Sequence, residues 1–304
     1  MMKKVLVLYY SQSGQLKKVI DNFIKDLPDQ EINVTLKEIK PKKQYPYPWP
    51  FYKFAVEFPE AVLMEGTEVQ EIDGIDEDYD LIILGYTIWF LSPSPPVVGF
   101  LKSQQAKKLF KNKPVITVIA CRDMWVMAQE KMKSLLNDLE AKLIDNVALT
   151  DQGKGIYSFV TTPRWLLTGK KNGFWFFPPA GILEKDIEQA NRFGKRLNES
   201  LKKDKEKEFQ PLLKNLGAVN VDGKLIASEI IATRSSKVWA KIIKKFGPKD
   251  SIGRKIGVTI YSVFLVILVF TVVPINIMVR KVLNKFQKEK LKILETKYEQ
   301  PSGR

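Results

Sequence analysis

Three short segments of the chain carry side chains that could do chemistry, and each directly follows an apolar run. The first segment is Ser11-Gln12-Ser13-Gly14-Gln15, which places two hydroxyl groups and a glycine between an apolar run and a helical pattern. Backbone N–H groups and the positive end of a helix dipole can hold a phosphate dianion at such a point. The segment therefore predicts a phosphate site, and a plain helix cap is the alternative interpretation.

The second segment offers aromatic rings, and the third offers a cation. Residues 85–96 hold Trp89 and Phe90 and end in a helix start, with Ser94 as the N-cap and Pro95 at the first helical position. Packing is the alternative role for both rings. The third segment, Cys121-Arg122-Asp123, offers a guanidinium that could stabilise an enolate, and an ion pair with the neighbouring aspartate is the alternative.

The composition excludes several kinds of site. The chain has no histidine and one cysteine, Cys121. Intramolecular disulfides, histidine triads, Cys/His zinc sites and His-ligated haem are therefore excluded, and we expect no metal centre. Because the chain offers no partner thiol, we interpret Cys121 as a packing residue at a strand end.

The elements that must position these segments alternate between strand and helix. Apolar or alternating runs predict five strands, at residues 5–10, 32–39, 81–85, 114–120 and 143–149. Helical spacing predicts helices between them and a last helix over 187–201. This pattern predicts an α/β domain over residues 1–205, with a doubly wound five-stranded parallel sheet. In such folds ligands lie beyond the carboxyl ends of the strands, where the three segments fall.

The net charge of +15 lies almost entirely after residue 150. No nucleic-acid recognition motif accompanies it, so we expect no nucleic-acid partner. Instead it brackets an uncharged run at 256–279, which as a helix would reach roughly 36 Å and could cross a hydrocarbon core of about 30 Å. We therefore predict a basic connector at 206–255, one transmembrane helix at 256–279 and a basic tail at 280–304.

The predicted location is a membrane, with a single crossing near the C-terminus and the catalytic domain in the cytoplasm, because the N-terminus does not resemble a signal peptide. A buried core helix is one alternative for the apolar run. A re-entrant or interfacial element broken at Pro274 and Asn276 is another. The basic residues on the two flanks are equal in number, so they do not decide the orientation.

Two aromatic inserts interrupt the α/β pattern. Residues 41–54 alternate proline with tyrosine, tryptophan and phenylalanine, and residues 165–179 are basic and aromatic. Two rigid aromatic inserts beside a site predict a covered apolar pocket and a lipophilic substrate. Contact with a membrane surface is the alternative for the second insert.

The first two segments resemble loops of known flavoproteins. Residues 10–15 look like the phosphate loop of flavodoxins, although Leu16 stands where a threonine is usual. Residues 85–96 resemble the Gly-x-Pro-x-Trp-Trp loop of flavodoxin-like reductases, with Thr87 in place of the proline and Phe90 in place of the second tryptophan. The resemblance implies FMN as cofactor. The residues implied to bind it are Ser11, Gln12, Ser13, Gly14, Gln15, Thr87, Ile88, Trp89, Phe90 and Cys121.

Nearly the whole chain, including the aromatic insert, residues 89–93, residues 121–131 and the late apolar run, looks like the flavodoxin-like proteins of bacterial dialkylresorcinol and flexirubin pigment pathways. That resemblance implies an FMN-dependent oxidoreductase of the aromatase type, which oxidises a dialkylcyclohexane-1,3-dione to a dialkylresorcinol, and a ketosynthase of the same pathway as partner. The base that this reaction needs would be Asp123 or Tyr86, and Arg122 would hold the dione oxygens.

Two other functions remain open from the sequence. An electron-transfer or quinone-reducing flavoprotein would account for the three segments. A non-catalytic membrane scaffold with a degenerate flavodoxin domain would account for Leu16.

Overall fold

The computed structural model describes residues 2–75, 78–153, 157–283 and 288–302. The strands are β1 (Lys3–Tyr9), β2 (Ile32–Glu38), β3 (Leu81–Trp89), β4 (Ser92–Pro93), β5 (Pro114–Cys121) and β6 (Lys142–Thr150). The helices are α1 (Gln15–Ile24), α2 (Phe51–Ala55), α3 (Phe58–Val62), α4 (Pro95–Leu101), α5 (Gln104–Phe110), α6 (Val126–Asp138), α7 (Ser158–Thr168), α8 (Glu184–Glu188), α9 (Asn191–Leu201), α10 (Gly223–Lys244), α11 (Ile252–Leu283) and α12 (Lys288–Glu299).

The sheet orders its parallel strands β2-β1-β3-β5-β6, and β4 folds back antiparallel on β3. The parallel α/β class predicted from the sequence is confirmed, and each predicted strand is present. The order is the one found in flavodoxin-like sheets, in which the chain reverses direction across the sheet between β1 and its neighbour β3.

Both faces of the sheet are covered, which explains why its strands are continuous apolar runs. Along β1, Val5 and Val7 belong to one buried cluster, together with Phe23 of α1. Leu6 and Leu8 belong to a second cluster on the other face. Successive strand side chains point to opposite faces, so a strand buried on both sides must be apolar at every position.

Strand β3 is longer than the sequence predicts. The predicted strand 81–85 continues to Trp89, because Tyr86 and Thr87 extend the pairing with β5. The prediction that the whole of 85–96 is a loop was therefore wrong. After Trp89 the chain makes a tight hairpin into β4, and Ser94 then precedes α4 as predicted.

The segment after residue 205 packs against the α/β unit. Leu212 and Leu213 are buried, and their backbone N–H groups donate to Asp145 Oδ2 at 2.5 and 3.0 Å. Ile226 of α10 is fully buried in the core that lies over one face of the sheet. The domain boundary near residue 205 stays a prediction.

Helix α11 is long and apolar enough to cross a membrane over Ile252–Thr271. It starts before the predicted run and continues through Pro274 and Asn276 without a break. Only 22% of the apolar stretch is buried. Most of its apolar surface is therefore not covered by the described part of the chain.

Candidate functional site

The three predicted segments leave the sheet at the same edge. Tyr9 of β1 pairs with Gly85 of β3, and the backbone N–H of Tyr10 donates to the carbonyl of Gly85 at 3.2 Å. Thr87 of β3 lies beside Ala120 of β5, one residue before Cys121. The chain also diverges here, since β2 lies on one side of β1 and β3 on the other. A switch point at the carboxyl edge is where this kind of sheet binds its ligands.

The first segment presents the start of α1. Gly14 has φ of 79°, in the left-handed region, and a Cβ added there would meet nothing within 4 Å. The position is therefore open, and its conformation favours glycine. Ser11 Oγ accepts from the backbone N–H of Lys17 at 3.2 Å, as in the plain-cap interpretation, whereas Ser13 is exposed. Because the first N–H groups of a helix have no intrahelical acceptor, this end suits an anion.

Two glutamines tie the first segment to the inserts. Gln12 Nε2 donates to the carbonyl of Pro46 at 3.1 Å. With its amide oriented to satisfy its neighbours, Gln15 Oε1 accepts from Ile182 N at 3.0 Å and from Lys171 Nζ at 3.3 Å. Both side chains therefore hold the loop against neighbouring parts of the chain. Their polar groups are already bonded to protein, so they are not free to bind a phosphate.

Trp89 lies inside an aromatic cluster. It is 6% exposed and packs edge-on against Tyr10, Tyr45 and Trp49, with ring centroids 6.1, 5.0 and 5.4 Å away. Phe90 stacks on Phe54 at 4.6 Å. These contacts favour the packing role for both rings. The first insert thus fills the space around Trp89 and does not stand above an open pocket.

The hairpin between β3 and β4 is strained. Phe90 and Leu91 both have positive φ, at 50° and 59°. A two-residue hairpin needs this conformation, but Asn-Gly is the usual sequence for it. Nothing in Phe-Leu signals such a turn, so sequence reasoning missed it.

Several buried polar atoms at this edge have no hydrogen-bond partner in the described part of the chain. They include Thr87 Oγ1, near the end of β3, Arg122 Nε, just after β5, and Thr161 Oγ1, near Asp151. The Arg122 guanidinium lies over the Phe159 ring at 4.5 Å. Burial lowers the pKa of Arg122, while Asp123 and Asp151 oppose that shift. Buried polar groups are almost always satisfied by protein, ordered water or a ligand, so Thr87 Oγ1 and Arg122 Nε are available to a ligand at this edge.

Asp151 is a residue of this edge that sequence reasoning missed. Its carboxylate is buried and accepts from the backbone N–H groups of Gly153 at 2.7 Å and Gly181 at 2.6 Å. Burial raises the pKa of Asp151, and the hydrogen bonds from Gly153 and Gly181 partly offset that rise. It joins two loops beside Arg122. Asp151 directly follows β6, the fifth strand predicted from the sequence. The rule that ligands lie just beyond the carboxyl ends of strands therefore applied to it as well.

Tyr86 and Cys121 are placed away from catalytic roles. Tyr86 is fully buried, and its hydroxyl donates to Gln129 Oε1 at 2.6 Å. Burial raises the pKa of both the Tyr86 hydroxyl and the Cys121 thiol well above their ordinary values. A protonated thiol fits the packing interpretation of Cys121. Ile88 lies partly buried between Thr87 and Trp89 on the same strand.

The second insert forms an open aromatic cleft. Its volume is about 550 Å³, and its lining residues are Gln152, Tyr157, Trp175, Phe176, Phe177 and Pro178. Trp175 is 91% exposed and Phe176 73% exposed. The two rings give this part of the surface an exposed apolar patch. The described residues contain no cluster of three metal-ligating side chains.

No protein-family model matches the chain, and no curated protein matches it. Solved structures do. A flavoprotein from Lactobacillus acidophilus in complex with FMN is 26% identical and covers 48% of this chain and 92% of its own, with a TM-score of 0.36. A flavodoxin from the domain Archaea is 11% identical and a WrbA-like flavodoxin from Agrobacterium tumefaciens 12%. Each of these two covers 66% of this chain and 99% of its own, with a TM-score of 0.39.

These TM-scores are low, and the strand order, not the scores, carries the fold assignment. The comparisons lend no support to the dialkylresorcinol family, which stays a prediction. The structural neighbours of this chain are flavodoxin-like flavoproteins.

Proposed function

We propose that this chain binds FMN at the carboxyl edge of its sheet and uses it as an oxidoreductase on a lipophilic substrate. The observation that carries this proposal is the pair of buried, unsatisfied atoms Thr87 Oγ1 and Arg122 Nε beside the open start of α1. A neutral donor and acceptor, a cation and a helix N-terminus at one switch point match a ligand with a polar ring edge and a phosphate.

The residues present divide between the two ends of FMN. Ser13, Gly14 and the first N–H groups of α1 would hold the phosphate. Thr87 and Arg122 would face the polar edge of the ring system. When bound, the flavin would supply the acceptor for one hydride, which carries two electrons. Trp89 and Phe90 would support the ring site indirectly, through the aromatic cluster in which they are packed.

An absorbance spectrum of the detergent-purified full chain tests the cofactor. We expect absorption bands at about 370 and 450 nm, which are those of an oxidised flavin. They should disappear on chemical reduction. A protein fraction whose spectrum stays featureless after incubation with FMN and removal of the unbound flavin by gel filtration would retire the redox proposal and leave the membrane scaffold.

For the reaction itself, we propose dehydrogenation of a dialkylcyclohexane-1,3-dione. Removal of one proton and one hydride takes two electrons from the ring, and the product tautomerises to the resorcinol. Arg122 would stabilise the enolate that forms, because a cation in a site of low dielectric interacts strongly with a developing charge. Asp123, the next residue, would take the proton. Tyr86 is not carried forward as the base, since its hydroxyl is buried and bonded to Gln129.

Replacing Asp123 with asparagine tests the assignment of the base. We expect turnover of a cyclohexanedione to fall by roughly two orders of magnitude, the usual contribution of a general base, while FMN stays bound. The 450 nm band reports the bound flavin in the same sample. Full turnover in Asp123→Asn would remove this residue from the mechanism.

A quinone-reducing or electron-transfer role is the second candidate. The open cleft of the second insert favours it, because an exposed aromatic surface beside the sheet edge would admit a planar partner. Rapid reduction of the bound flavin by NAD(P)H, with quinone turnover and none of the dione, would decide for this candidate. A ketosynthase partner remains part of the aromatase proposal.

We also propose that α11 attaches the protein to a membrane, with the α/β unit on the cytoplasmic side. Its length, apolar composition and low burial support this. Fractionation of cells expressing the full chain tests it, since the protein should sediment with membranes. Attachment does not by itself mean that α11 crosses the membrane, as predicted from the sequence. Whether it crosses depends on where the chain after α11 is held.

A further inference from the structure

Helices α10 and α11 pack as an antiparallel pair. Trp239 lies 5.2 Å from Tyr261 and 5.1 Å from Phe264, measured between ring centroids. Nearer the turn, a Cβ added at Gly257 would lie 3.5 Å from Ile243 Cγ2. Residue numbers fall along α10 as they rise along α11, so α11 runs back along α10 instead of continuing away from the molecule.

Helix α10 is itself fixed to the α/β unit. Glu229 is buried, and its Oε1 accepts from the backbone N–H of Met127 in α6 at 2.7 Å. At the other end, Lys244 pairs with Glu65. Arg254, at the start of α11, is buried and pairs with Glu60 at 3.0 Å. The pair of helices therefore lies along the surface of the domain.

After α11 the chain returns to the same domain. Glu295 Oε1 in α12 accepts from the backbone N–H of Gly223 at 3.1 Å, and a Cβ added at Gly223 would lie 3.0 Å from the carbonyl oxygen of Leu291. Beyond α12, Ser302 is fully buried against the edge strand β6. Its hydroxyl accepts from Asn146 N at 2.5 Å and donates to Asn146 O at 2.8 Å.

The length of chain between α11 and these contacts is too short for a membrane crossing. From Leu283 to Lys288 the chain can reach about 18 Å when fully extended, whatever its path. The helical rise from Lys288 to Leu291 adds about 4.5 Å. The total of about 23 Å is less than the hydrocarbon core of about 30 Å, so a docked tail and a Leu283 on the far side of a bilayer are incompatible.

The exposed face of α11 suits a helix that lies flat. Six of its exposed apolar side chains recur every three or four residues, and they are Ile252, Ile256, Ile260, Val263, Ile267 and Phe270; Leu265 and Val266 are exposed as well. Val258 and Tyr261, on the opposite face, are buried against the protein. Up to Tyr261, an apolar stripe with the opposite face packed against the protein is the pattern of a helix in the plane of an interface.

Helix α10 extends the surface and gives it charge. Ile231, Val238 and Ile242 are exposed, at 61%, 58% and 40%. Lys241 and Lys245 are exposed beside them. Cations beside an apolar stripe attract anionic lipid headgroups, and they oppose the approach of a second copy of the same basic surface.

We infer that α10 and α11 lie in the plane of an anionic membrane and that α11 does not cross it. The α/β unit and the C-terminal tail are then on the same side, and the contact of Ser302 with β6 holds them there. This inference rests on the proposed membrane attachment and is independent of FMN. Lipid, and not a partner protein, covers the exposed stripe.

Single-cysteine labelling in sealed membrane vesicles tests this. In a Cys121→Ser background, a cysteine replaces Lys25, which is exposed on the α/β unit, or Lys290, which is exposed on α12. Inside-out vesicles from cells expressing the full chain are treated with a membrane-impermeant maleimide, before and after detergent. We expect Lys25→Cys and Lys290→Cys to be labelled equally before detergent.

Three other outcomes overturn the inference. Labelling of Lys290→Cys only after detergent would show a crossing and leave membrane attachment intact. Absence of the protein from the membrane fraction would remove the attachment as well. A purified protein that forms a stable dimer and does not float with vesicles of phosphatidylcholine and phosphatidylglycerol would show that a second copy covers the stripe.

Discussion

Arg122 carries the most specific chemical information of any single residue. A guanidinium always keeps its charge, and here it is buried over Phe159 with Nε unsatisfied. Burial of this charge costs free energy even beside Asp123 and Asp151, so a ligand that accepts from Nε would relieve part of that cost.

Replacing Arg122 with glutamine should therefore have two opposite effects. The apoprotein should become more stable, because the buried charge is gone, and FMN should bind about 10- to 100-fold more weakly, the value of a charge-assisted hydrogen bond. Thermal melting and FMN titration measure the two effects. Arg192→Gln is the matched control, since Arg192 also lies over a phenylalanine, at 4.1 Å, but on α9. Equal FMN affinity in both variants would contradict the role of Arg122.

Gly14 offers a second prediction. Alanine at φ of 79° costs about 1 to 2 kcal/mol of stability. Gly217→Ala is a close control, because Gly217 has φ of 62° and is equally open around the added Cβ. Both variants should lose similar stability in chemical denaturation. Only Gly14→Ala should also weaken FMN binding, by about tenfold, because it alone alters the start of α1. Equal FMN affinity in the two would show that α1 holds no phosphate.

Among the elements, α10 docks on the α/β unit through a buried titratable group, Glu229. The Glu229 carboxylate is buried, and it accepts a hydrogen bond from the backbone N–H of Met127. The charge of Lys131 acts on it at longer range. Burial raises the pKa of Glu229 to about 7. The folded state therefore binds this proton more tightly than the unfolded state does.

The sign of the pH dependence follows. Stability from this group is fully present below about pH 4.5 and is lost as the pH rises to about 7, by on the order of 3 kcal/mol in total. Glu229→Gln should remove this fall while keeping the acceptor for Met127 N. Denaturant melts of both proteins between pH 4.5 and 8 measure it. A parallel fall in the variant would place the titrating group elsewhere.

The strained hairpin between β3 and β4 is an element that packing determines. Phe90 lies between Phe54 and Phe58, with ring centroids at 4.6 and 5.3 Å. These contacts hold a left-handed backbone that costs about 1 to 2 kcal/mol per residue. The aromatic insert, interpreted from sequence as the wall of a pocket, is thus what fixes the turn after β3.

At the scale of the whole molecule, the C-terminal tail joins the end of the chain to the edge of the sheet. Asn146 and Ser302 are 156 residues apart in sequence. The contact covers β6, whose edge would otherwise present unpaired backbone groups. It also decides whether both ends of α11 stay on one side of a membrane.

Replacing Ser302 with alanine should release the tail. Two hydrogen bonds are lost and Asn146 is left unsatisfied, which costs about 1 to 2 kcal/mol. Trypsin should then cut faster at the lysines of α12, as followed by mass spectrometry. Thr296→Ala is the control, because its hydroxyl bonds only to Lys292 O within an exposed turn. Equal cleavage rates in the two variants would show that Ser302 does not hold the tail.

The sequence by itself determined the parallel sheet and the position of its ligand edge. Apolar runs such as Val5 to Tyr9 specify buried strands through local hydrophobicity, and residues after those runs must lie at the carboxyl edge. It also identified Arg122, Gly14 and the apolar helix. Each of these rests on neighbours within a few residues, where composition and spacing carry the information.

Only the tertiary structure decided which side chains are free and which are packed. Trp89 is buried by an insert some forty residues earlier, and Tyr86 is bonded to Gln129 on a different element. The return of the tail to Asn146, which changes the meaning of α11, depends on a pairing across half the chain. Such contacts depend on how elements pack in space, and no local pattern in the sequence records them.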